Sequence, residues 1–323
     1  MISTGEAVTD TMMHGRVVVT GGAGFIGSNI AEELSAGNEI TIIDDLSSGR
    51  MQNIEHLSKL PNVSFVRGSI TDLSLLQRAF AGAEYVFHLA ALPSVPLSID
   101  DPIRANEVNV RGTLNALVAA RDCHVKKVVF ASSCAVYGDT PSLPARENLP
   151  TAPLSPYAVT KAAGEQYCAV FRHVYGLATV CLRYFNVYGP RQDPNSEYAA
   201  VVPKFITAAL SGRQLTIFGD GQQTRDFVFV KDVVLANICA AQAETSGVFN
   251  IGSGRRTSVI ELANLIQKLA GRDGEPAFRP PKPGEIKHSY SDISRAGELG
   301  YSPKHSLEEG IRKTISSLKW AKS

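Results

Sequence analysis

The stretch Thr20-Gly21-Gly22-Ala23-Gly24-Phe25-Ile26-Gly27-Ser28 constrains the fold of this chain more than any other. Residues 16–19 before it are mostly β-branched and predict a strand, and residues 29–34 after it predict a helix. Glycines at this spacing allow a tight turn and a close approach of the backbone to a pyrophosphate, whose charge the helix N-terminus attracts. The stretch therefore predicts a strand–turn–helix unit that binds a dinucleotide.

Asp44 narrows the choice of dinucleotide. It ends the next predicted strand, residues 39–43, about 20 residues after the glycines. A carboxylate at this place can accept hydrogen bonds from both hydroxyls of the adenosine ribose, and it would repel a phosphate at the 2′ position. The sequence therefore predicts NAD rather than NADP as the cofactor.

The composition argues against several classes of function. The net charge is +1 over 323 residues, so no basic excess predicts a nucleic-acid or membrane-surface partner. No apolar run approaches the roughly 20 residues of a membrane span. Residues 1–14 are polar and lack the apolar core of a secretion signal. We therefore expect a flexible N-terminal extension and a cytoplasmic location.

The cysteines do not predict a disulfide or metal framework. Their number is odd, their spacing is irregular and no Cys-x-x-Cys pair occurs, which fits neither disulfides nor a zinc site. We expect no metal and mostly reduced packing residues. The five cysteines are Cys123, Cys134, Cys168, Cys181 and Cys239.

Predicted strands and helices alternate beyond Asp44. Strands are predicted at 63–66, 85–88, 126–131 and 178–183, and helices at 72–80, 102–121 and 156–175. This alternation predicts an α/β fold with a doubly wound parallel (Rossmann) sheet, whose ligands lie beyond the carboxyl ends of the strands. The pattern loosens near residue 189. We expect an NAD-binding domain at 15–188, with a returning segment near 226–250, and a smaller mixed α/β substrate domain at 189–323.

Three residues near the predicted strand ends could carry chemistry. Tyr157 and Lys161 are four apart in a predicted helix, so the lysine ammonium should lie near the phenol. A free phenol has a pKa near 10. A neighbouring cation favours the phenolate, which makes Tyr157 a candidate base near neutral pH. Ser133, just after the fifth predicted strand, could hold the same substrate hydroxyl.

The chain resembles the extended short-chain dehydrogenases/reductases, and among them the nucleotide-sugar 4-epimerases that act on UDP-hexoses. The resemblance extends from residue 16 to about residue 301. It implies reversible inversion at C4 through a transient 4-keto sugar. It rests on the motifs at 20–28, Asp44, His88-Leu89-Ala90-Ala91, 109–113, 132–138, Tyr157-x-x-x-Lys161, 183–186, 219–221 and 225–227.

The resemblance also implies roles for the matching positions, beyond the catalytic Ser133, Tyr157 and Lys161. Asn186 and Arg225 would bind the diphosphate of a UDP-sugar. With the glycine turn, the implied NAD-binding residues are Gly21, Gly24, Phe25, Ile26, Gly27, Asp44, Ser48, Ser69, Ile70, Leu89, Ala90, Ala91, Asn109, Tyr157, Lys161 and Tyr184. The implied substrate-binding residues are Pro93, Ser133, Ala135, Asn186, Gln192, Ala200, Val201, Phe218, Arg225, Lys282, Glu285 and Ser289.

Several positions depart from the pattern of relatives. Ser69 stands where relatives often have an aspartate that contacts adenine, and Lys282 stands where many have an arginine that contacts the diphosphate. These two changes would weaken ligand contacts without changing the ligand. Leu97 stands where some relatives carry an arginine.

Two small residues predict a wide sugar pocket. Ser289 matches a position that is often tyrosine in relatives restricted to UDP-glucose and UDP-galactose, and Ala200 matches one where such relatives have asparagine. We expect both to enlarge the same side of the pocket, where Gln192 could hydrogen-bond an acetamido group. The expected substrates are UDP-N-acetylglucosamine and UDP-N-acetylgalactosamine, with UDP-glucose and UDP-galactose also accepted.

Other functions stay open. They are an epimerase restricted to UDP-glucose and UDP-galactose, an epimerase of UDP-glucuronate, and a non-catalytic NAD-binding sensor. A dehydratase or decarboxylase is disfavoured, because Cys134 and Ala135 occupy the places of the acid and base that such relatives use.

The resemblance further implies a homodimer. Similar enzymes pair through two helices of each subunit, which here correspond to the predicted helices at 102–121 and 156–175. The second of these carries more apolar positions than one buried stripe requires. These positions include Ala162, Ala163, Tyr167, Val170 and Phe171.

Overall fold

The structure is a computed structural model that describes residues 14–194, 200–281 and 286–320. Most of the predicted N-terminal extension lies outside these ranges. The strands are β1 (Arg16–Thr20), β2 (Glu39–Asp44), β3 (Val63–Arg67), β4 (Tyr85–His88), β5 (Lys127–Ser133), β6 (Ala178–Tyr184), β7 (Asn186–Tyr188), β8 (Thr216–Phe218), β9 (Thr224–Arg225), β10 (Phe227–Phe229), β11 (Gly247–Ile251), β12 (Thr257–Ser258), β13 (Ala277–Arg279) and β14 (His288–Ser289). The helices are α1 (Phe25–Leu34), α2 (Leu73–Phe80), α3 (Val95–Asp100), α4 (Pro102–Asn106), α5 (Gly112–Asp122), α6 (Pro156–Tyr175), α7 (Val201–Leu210), α8 (Val230–Gln242), α9 (Val259–Ala270) and α10 (Leu307–Trp320).

Seven of these strands form one parallel sheet in the order β11-β6-β5-β4-β1-β2-β3. One face packs on α1 and α8, and the other packs on α2, α5 and α6. Both faces are therefore covered, as parallel sheets require. The predicted Rossmann fold is confirmed, and the carboxyl ends of β1, β4 and β5 meet at one edge of the sheet.

The remaining strands form three small sheets beyond that edge. β7 pairs with β10, β8 with β13, and β9 lies between β12 and β14. Helices α7, α9 and α10 pack around them in a separate apolar core that includes Tyr188, Phe205 and Leu262. This arrangement brings the end of β9 and the start of α7 towards the main sheet. In the described ranges, no helix is long and apolar enough to cross a bilayer.

The predicted helix at 102–121 is confirmed as one continuous helical segment, in which α4 and α5 are joined by a π-helical turn at Glu107–Arg111. The sequence did not predict this turn. Asn109 lies in it, and its Oδ1 accepts a hydrogen bond from Leu92 N at 2.7 Å. Helix α3 was not predicted, although Ser94 as its N-cap and the proline in its first turn are usable signals.

Candidate active site

The glycine turn packs so closely that larger residues do not fit. Gly21 has a φ of +69°, and a Cβ on it would lie 2.7 Å from Ala90 N. A Cβ on Gly27 would lie 2.2 Å from Gly21 O. Within the described chain no side chain caps α1, which begins after Gly24. Its first N–H groups are therefore available to an anion at the sheet edge, which fits the pyrophosphate of NAD.

Asp44 lies against this turn. Its carboxylate accepts hydrogen bonds from Ala23 N at 3.0 Å and Leu46 N at 2.8 Å, and the residue is 7% exposed. Burial raises the pKa of this carboxyl, and the two backbone hydrogen bonds oppose the effect. The turn and the carboxylate are thus one packed unit, in the arrangement that ribose binding needs.

The other predicted cofactor residues divide into two groups. Ala90 N donates to Thr20 Oγ1 at 3.3 Å, which places residues 89–91 beside the glycine turn, and Ser48 and Ser69 lie near the end of β2. The side chains of Ile70 and Tyr184 instead belong to the core: Ile70 packs beside α5, and the Tyr184 hydroxyl donates to Asn237 Oδ1 at 2.9 Å. A side-chain contact from either residue to the cofactor is therefore not supported.

Ser133, Tyr157 and Lys161 come together where β5 meets α6. The side chain of Ser133 lies next to the Tyr157 hydroxyl and lowers its pKa. Lys161 Nζ donates to Ala131 O at 2.8 Å and lies 5.8 Å from the centre of the Tyr157 ring. The three candidate catalytic residues are therefore in contact through one strand end and one helix.

The pKa of Tyr157 differs from the sequence-based expectation. Part of the ring is exposed, but burial of the hydroxyl raises its pKa to about 12, and the neighbouring side chain of Ser133 opposes this only partly. Burial lowers the pKa of Lys161 to about 8. The expectation that Lys161 makes the phenol acidic near neutral pH is wrong for the protein alone, because desolvation outweighs the distant ammonium.

A cavity of about 790 Å³ is formed by residues of β7, β8, β9 and α7. Of the predicted substrate residues, it is lined by Asn186, Ala200, Val201, Phe218 and Arg225. Sequence reasoning missed the other polar lining, which includes Gln223, Lys204 and Arg213. No motif distinguishes these residues from ordinary surface positions.

Two buried acceptors near this cavity fit a polar ligand. Within the described residues, Asn186 Oδ1 and Gln192 Oε1 have no hydrogen-bond partner. The Gln192 amide is held in place because its Nε2 donates to Val187 O at 3.2 Å. Buried acceptors are normally paired, so both atoms suit a ligand that donates hydrogen bonds.

Ala200 lines the cavity with Phe218. Ser289 pairs across β14 and β9 with Arg225, which lines the same cavity, and it lies next to the Cys134 thiol. The expectation that both residues enlarge one side of the pocket stays a prediction. Ala135 is held by a bond from its N–H to Ser133 Oγ at 3.2 Å, and Pro93 is exposed after β4. Lys282 and Glu285 lie outside the described residues.

This arrangement defines the class of the protein, which is an enzyme of the short-chain dehydrogenase/reductase type. The dinucleotide turn, the ribose carboxylate and the serine, tyrosine and lysine group lie on one sheet edge. Within the described residues no group of three or more His, Cys, Asp or Glu side chains is placed to hold a metal ion.

The chain belongs to the NAD dependent epimerase/dehydratase family, whose model matches residues 17–252. It is 42% identical over 306 residues to a putative UDP-glucose 4-epimerase of Methanocaldococcus jannaschii, covering 94% of this chain and 98% of that protein. It is 45% identical over 306 residues to the UDP-glucose 4-epimerase of Mycolicibacterium smegmatis, covering 93% of this chain and 97% of that protein. The solved structure of a UDP-N-acetylglucosamine 4-epimerase from Methanobrevibacter ruminantium M1 matches with a TM-score of 0.93 and 42% identity, covering 96% of this chain and all of that one. The expected family, enzyme class and NAD cofactor are confirmed.

Proposed function

We propose that this enzyme interconverts UDP-N-acetylglucosamine and UDP-N-acetylgalactosamine by inversion at C4, and that it also accepts UDP-glucose and UDP-galactose. The observation that carries the proposal is the position of Ser289, a small residue that contacts Cys134 next to the catalytic serine. A tyrosine at this place would fill space beside the reacting sugar. The serine leaves that space for a 2-acetamido group.

The chain's own residues account for proton transfer. Ser133 and Tyr157 would both contact the 4-hydroxyl of the sugar, so that Tyr157 removes the proton and returns it after the ketone has turned in the site. Lys161 would hold the nicotinamide ribose with its buried ammonium. When bound, NAD supplies reversible hydride acceptance and a positive charge that favours the phenolate. No net oxidation results.

The turn after Ser133 supports epimerisation rather than elimination or decarboxylation. Cys134 and Ala135 begin a short helical turn at Cys134–Tyr137 and offer no carboxylate. The nearby Asp226 carboxylate is fully buried and already accepts hydrogen bonds from Ser253, Gly254 and Ser291. It is therefore not placed to act as the missing acid or base.

Gln192 supports recognition of an acetamido group. Its unpaired Oε1 is a buried acceptor, and the amide N–H of a 2-acetamido sugar is a donor that a plain 2-hydroxyl sugar lacks. Because the 2-hydroxyl of a plain sugar also donates, this contact would serve both kinds of sugar, and Ser289 carries the expected preference for the acetylated ones.

We expect the purified protein to epimerise without added cofactor. The reaction has no net redox change, so NAD that stays bound through purification is regenerated in every turnover. The test is a coupled assay against the four UDP-hexoses and UDP-glucuronate, with and without added NAD. Strict dependence on added NADPH would contradict both the Asp44 argument and the epimerase assignment. Bound NAD with no turnover of any UDP-sugar would instead support the sensor.

We also propose a homodimer formed through α4 and α6. Ile103 is 81% exposed, and α6 presents an exposed apolar stripe formed by Val159, Val170 and Val174. Phe171, expected at this face, packs in the chain's own core instead. The rest of the stripe is apolar and unlike an ordinary solvated helix face.

The predicted mass in solution is twice the 34.6 kDa of one chain at micromolar concentration. Light scattering after size exclusion measures it directly. Val170→Asp should shift the mass to the monomer because it buries a charge in the apolar contact, while Leu60→Asp, at an exposed leucine elsewhere, should leave the dimer intact. A wild-type monomer would reject the proposal.

A further inference from the structure

Three consecutive residues at the end of β5 contact three residues of α6 that lie one helical turn apart. Ser133 lies next to the Tyr157 hydroxyl, and Ala131 O accepts a hydrogen bond from Lys161 Nζ at 2.8 Å. These two contacts belong to the proposed catalytic group. The third contact joins Ser132 to Glu165, which lies four residues beyond Lys161, and the reaction gives it no role.

Glu165 is held at full burial by Arg183 of β6. Arg183 Nε donates to Glu165 Oε1 at 2.8 Å and its NH2 donates to Oε2 at 2.7 Å, while Ser132 Oγ donates to Oε1. The two charged side chains are only 5% and 3% exposed. A bidentate pair of this kind has fixed geometry, so the carboxylate cannot move without breaking buried bonds.

Arg183 is itself fixed from its other side. Its guanidinium lies 4.6 Å from the centre of the Tyr137 ring, and NH1 donates to Glu147 O at 3.4 Å. The carboxylate of Glu165 is thus tied to β5 and β6 together. Because it extends from α6, it sets how that helix sits against the strand that carries Ser133.

We propose that Glu165 is a positioning residue for the epimerase reaction. It fixes α6 against the end of β5, and it places a carboxylate one helical turn from Lys161. The inference rests on the proposed function for its catalytic consequence, but the effect on Lys161 is a property of the protein itself.

Few other charged groups near Lys161 could influence the charge of its ammonium. His88 of β4 faces it, but burial lowers the pKa of His88 to about 3, so the ring is neutral between Thr20 and Thr113. The Phe130 ring of β5 lies 5.0 Å from Nζ.

Two groups on α6 oppose the effect of burial on Lys161. Burial lowers the pKa of Lys161 to about 8, and the Cys168 thiol and the Glu165 carboxylate both act in the opposite direction. Glu165 is the carboxylate among these groups, and its buried ion pair with Arg183 partly cancels its charge as seen by Lys161.

The test compares Glu165→Gln with the wild type in the full chain with its bound NAD. Glutamine keeps the shape and one acceptor but removes the charge, so the pKa of Lys161 should fall by about one unit. Protein labelled with ¹³C-lysine reports this pKa by NMR, with the signal assigned by its loss in Lys161→Arg. The alkaline limb of kcat should move to lower pH by the same amount, since the ammonium is lost earlier as pH rises.

Matched variants separate positioning from a structural defect. Glu165→Asp keeps the charge, so it should restore the Lys161 pKa and the alkaline limb even if its shorter reach lowers kcat. Glu147→Gln removes another carboxylate of this network, which accepts from Asn250 N at 2.8 Å, and should move neither. If Glu165→Gln does not fold, the two single variants Ser132→Ala and Glu165→Asp still test the contact. In Ser132→Ala, kcat should fall about tenfold with KM unchanged.

Two outcomes would overturn the inference. One is an unchanged Lys161 pKa in a folded Glu165→Gln protein, and the other is unchanged kcat in Ser132→Ala. A wild-type enzyme inactive on every UDP-sugar would overturn the proposed function instead, while the NMR titration would still decide the effect of Glu165 on Lys161.

Discussion

Replacing Tyr157 with phenylalanine should lower kcat for epimerisation by at least about 100-fold, the usual span for a general base. The hydroxyl is the group proposed to take the 4-hydroxyl proton, and its neighbour Ser133 cannot replace it because a serine hydroxyl is a far weaker acid, whose alkoxide does not form near neutral pH. The fold should survive, since Ser133 Oγ keeps its bond from Ala135 N at 3.2 Å. Initial rates with each UDP-hexose measure the effect, and released NAD measures cofactor retention.

Tyr137→Phe is the matched control for this prediction. Tyr137 is also buried, burial also raises its pKa to about 12, and its hydroxyl donates to Asn250 Oδ1 at 2.6 Å. Loss of the Tyr137 hydroxyl should lower the free energy of unfolding by about 1 kcal/mol or more. The rates of epimerisation should stay within a few-fold of the wild type. Near-normal activity of Tyr157→Phe would remove Tyr157 from the mechanism.

Ser289→Tyr should abolish turnover of the acetylated pair while sparing UDP-glucose and UDP-galactose. The ring would enter the space beside Cys134 that is proposed to hold the acetamido group. Overfilling a packed site costs about 1–3 kcal/mol or more, which corresponds to a loss of about 5- to 150-fold or more in kcat/KM. Comparing kcat/KM for all four sugars separates this selective loss from a general one.

Ser289→Ala serves as its control because it removes the hydroxyl that contacts Cys134 without adding volume. The preference for acetylated sugars should remain. An equal loss of kcat/KM for all four sugars in Ser289→Tyr would show that the substitution damages the site as a whole rather than excluding the acetamido group. A wild-type enzyme that turns over only UDP-glucose and UDP-galactose would reject the pocket argument and leave epimerisation standing.

The sequence predicted elements well where local signals fix both ends. Helix α6 has the predicted bounds because Ser155 caps it, Pro156 begins it and Gly176 ends it with a φ of +71°. The glycine turn and Asp44 were likewise readable, since their spacing reflects backbone geometry alone. The π-helical turn inside the helix at 102–121 was not predicted, because Asn109 of that turn contacts Leu92, which belongs to another segment of the chain.

The features of the site that the sequence did not predict also depend on contacts between distant segments. Spacing placed Tyr157 beside Lys161, but only the packed structure reveals the burial that raises the phenol pKa. Ser289 and Ala200 are equally small in the sequence, and nothing local shows that Ser289 lies next to the Cys134 thiol while Ala200 lines the cavity. The position of Glu165 can be predicted from the sequence, because it shares a helical face with Tyr157 and Lys161. Its partner Arg183 comes from another strand.

The placement of β11 has a consequence for how the chain must be made. This strand pairs with β6 over Gly247–Ile251, after the polypeptide has left the main sheet and completed only the small sheet of β7 and β10. During synthesis the first six strands emerge while β6 still offers a bare edge with unpaired backbone groups. The helix α8 that covers α1 also arrives late. The main sheet therefore cannot be finished before the chain has been translated to about residue 251, and a nascent chain cut off near residue 188 is an aggregation hazard.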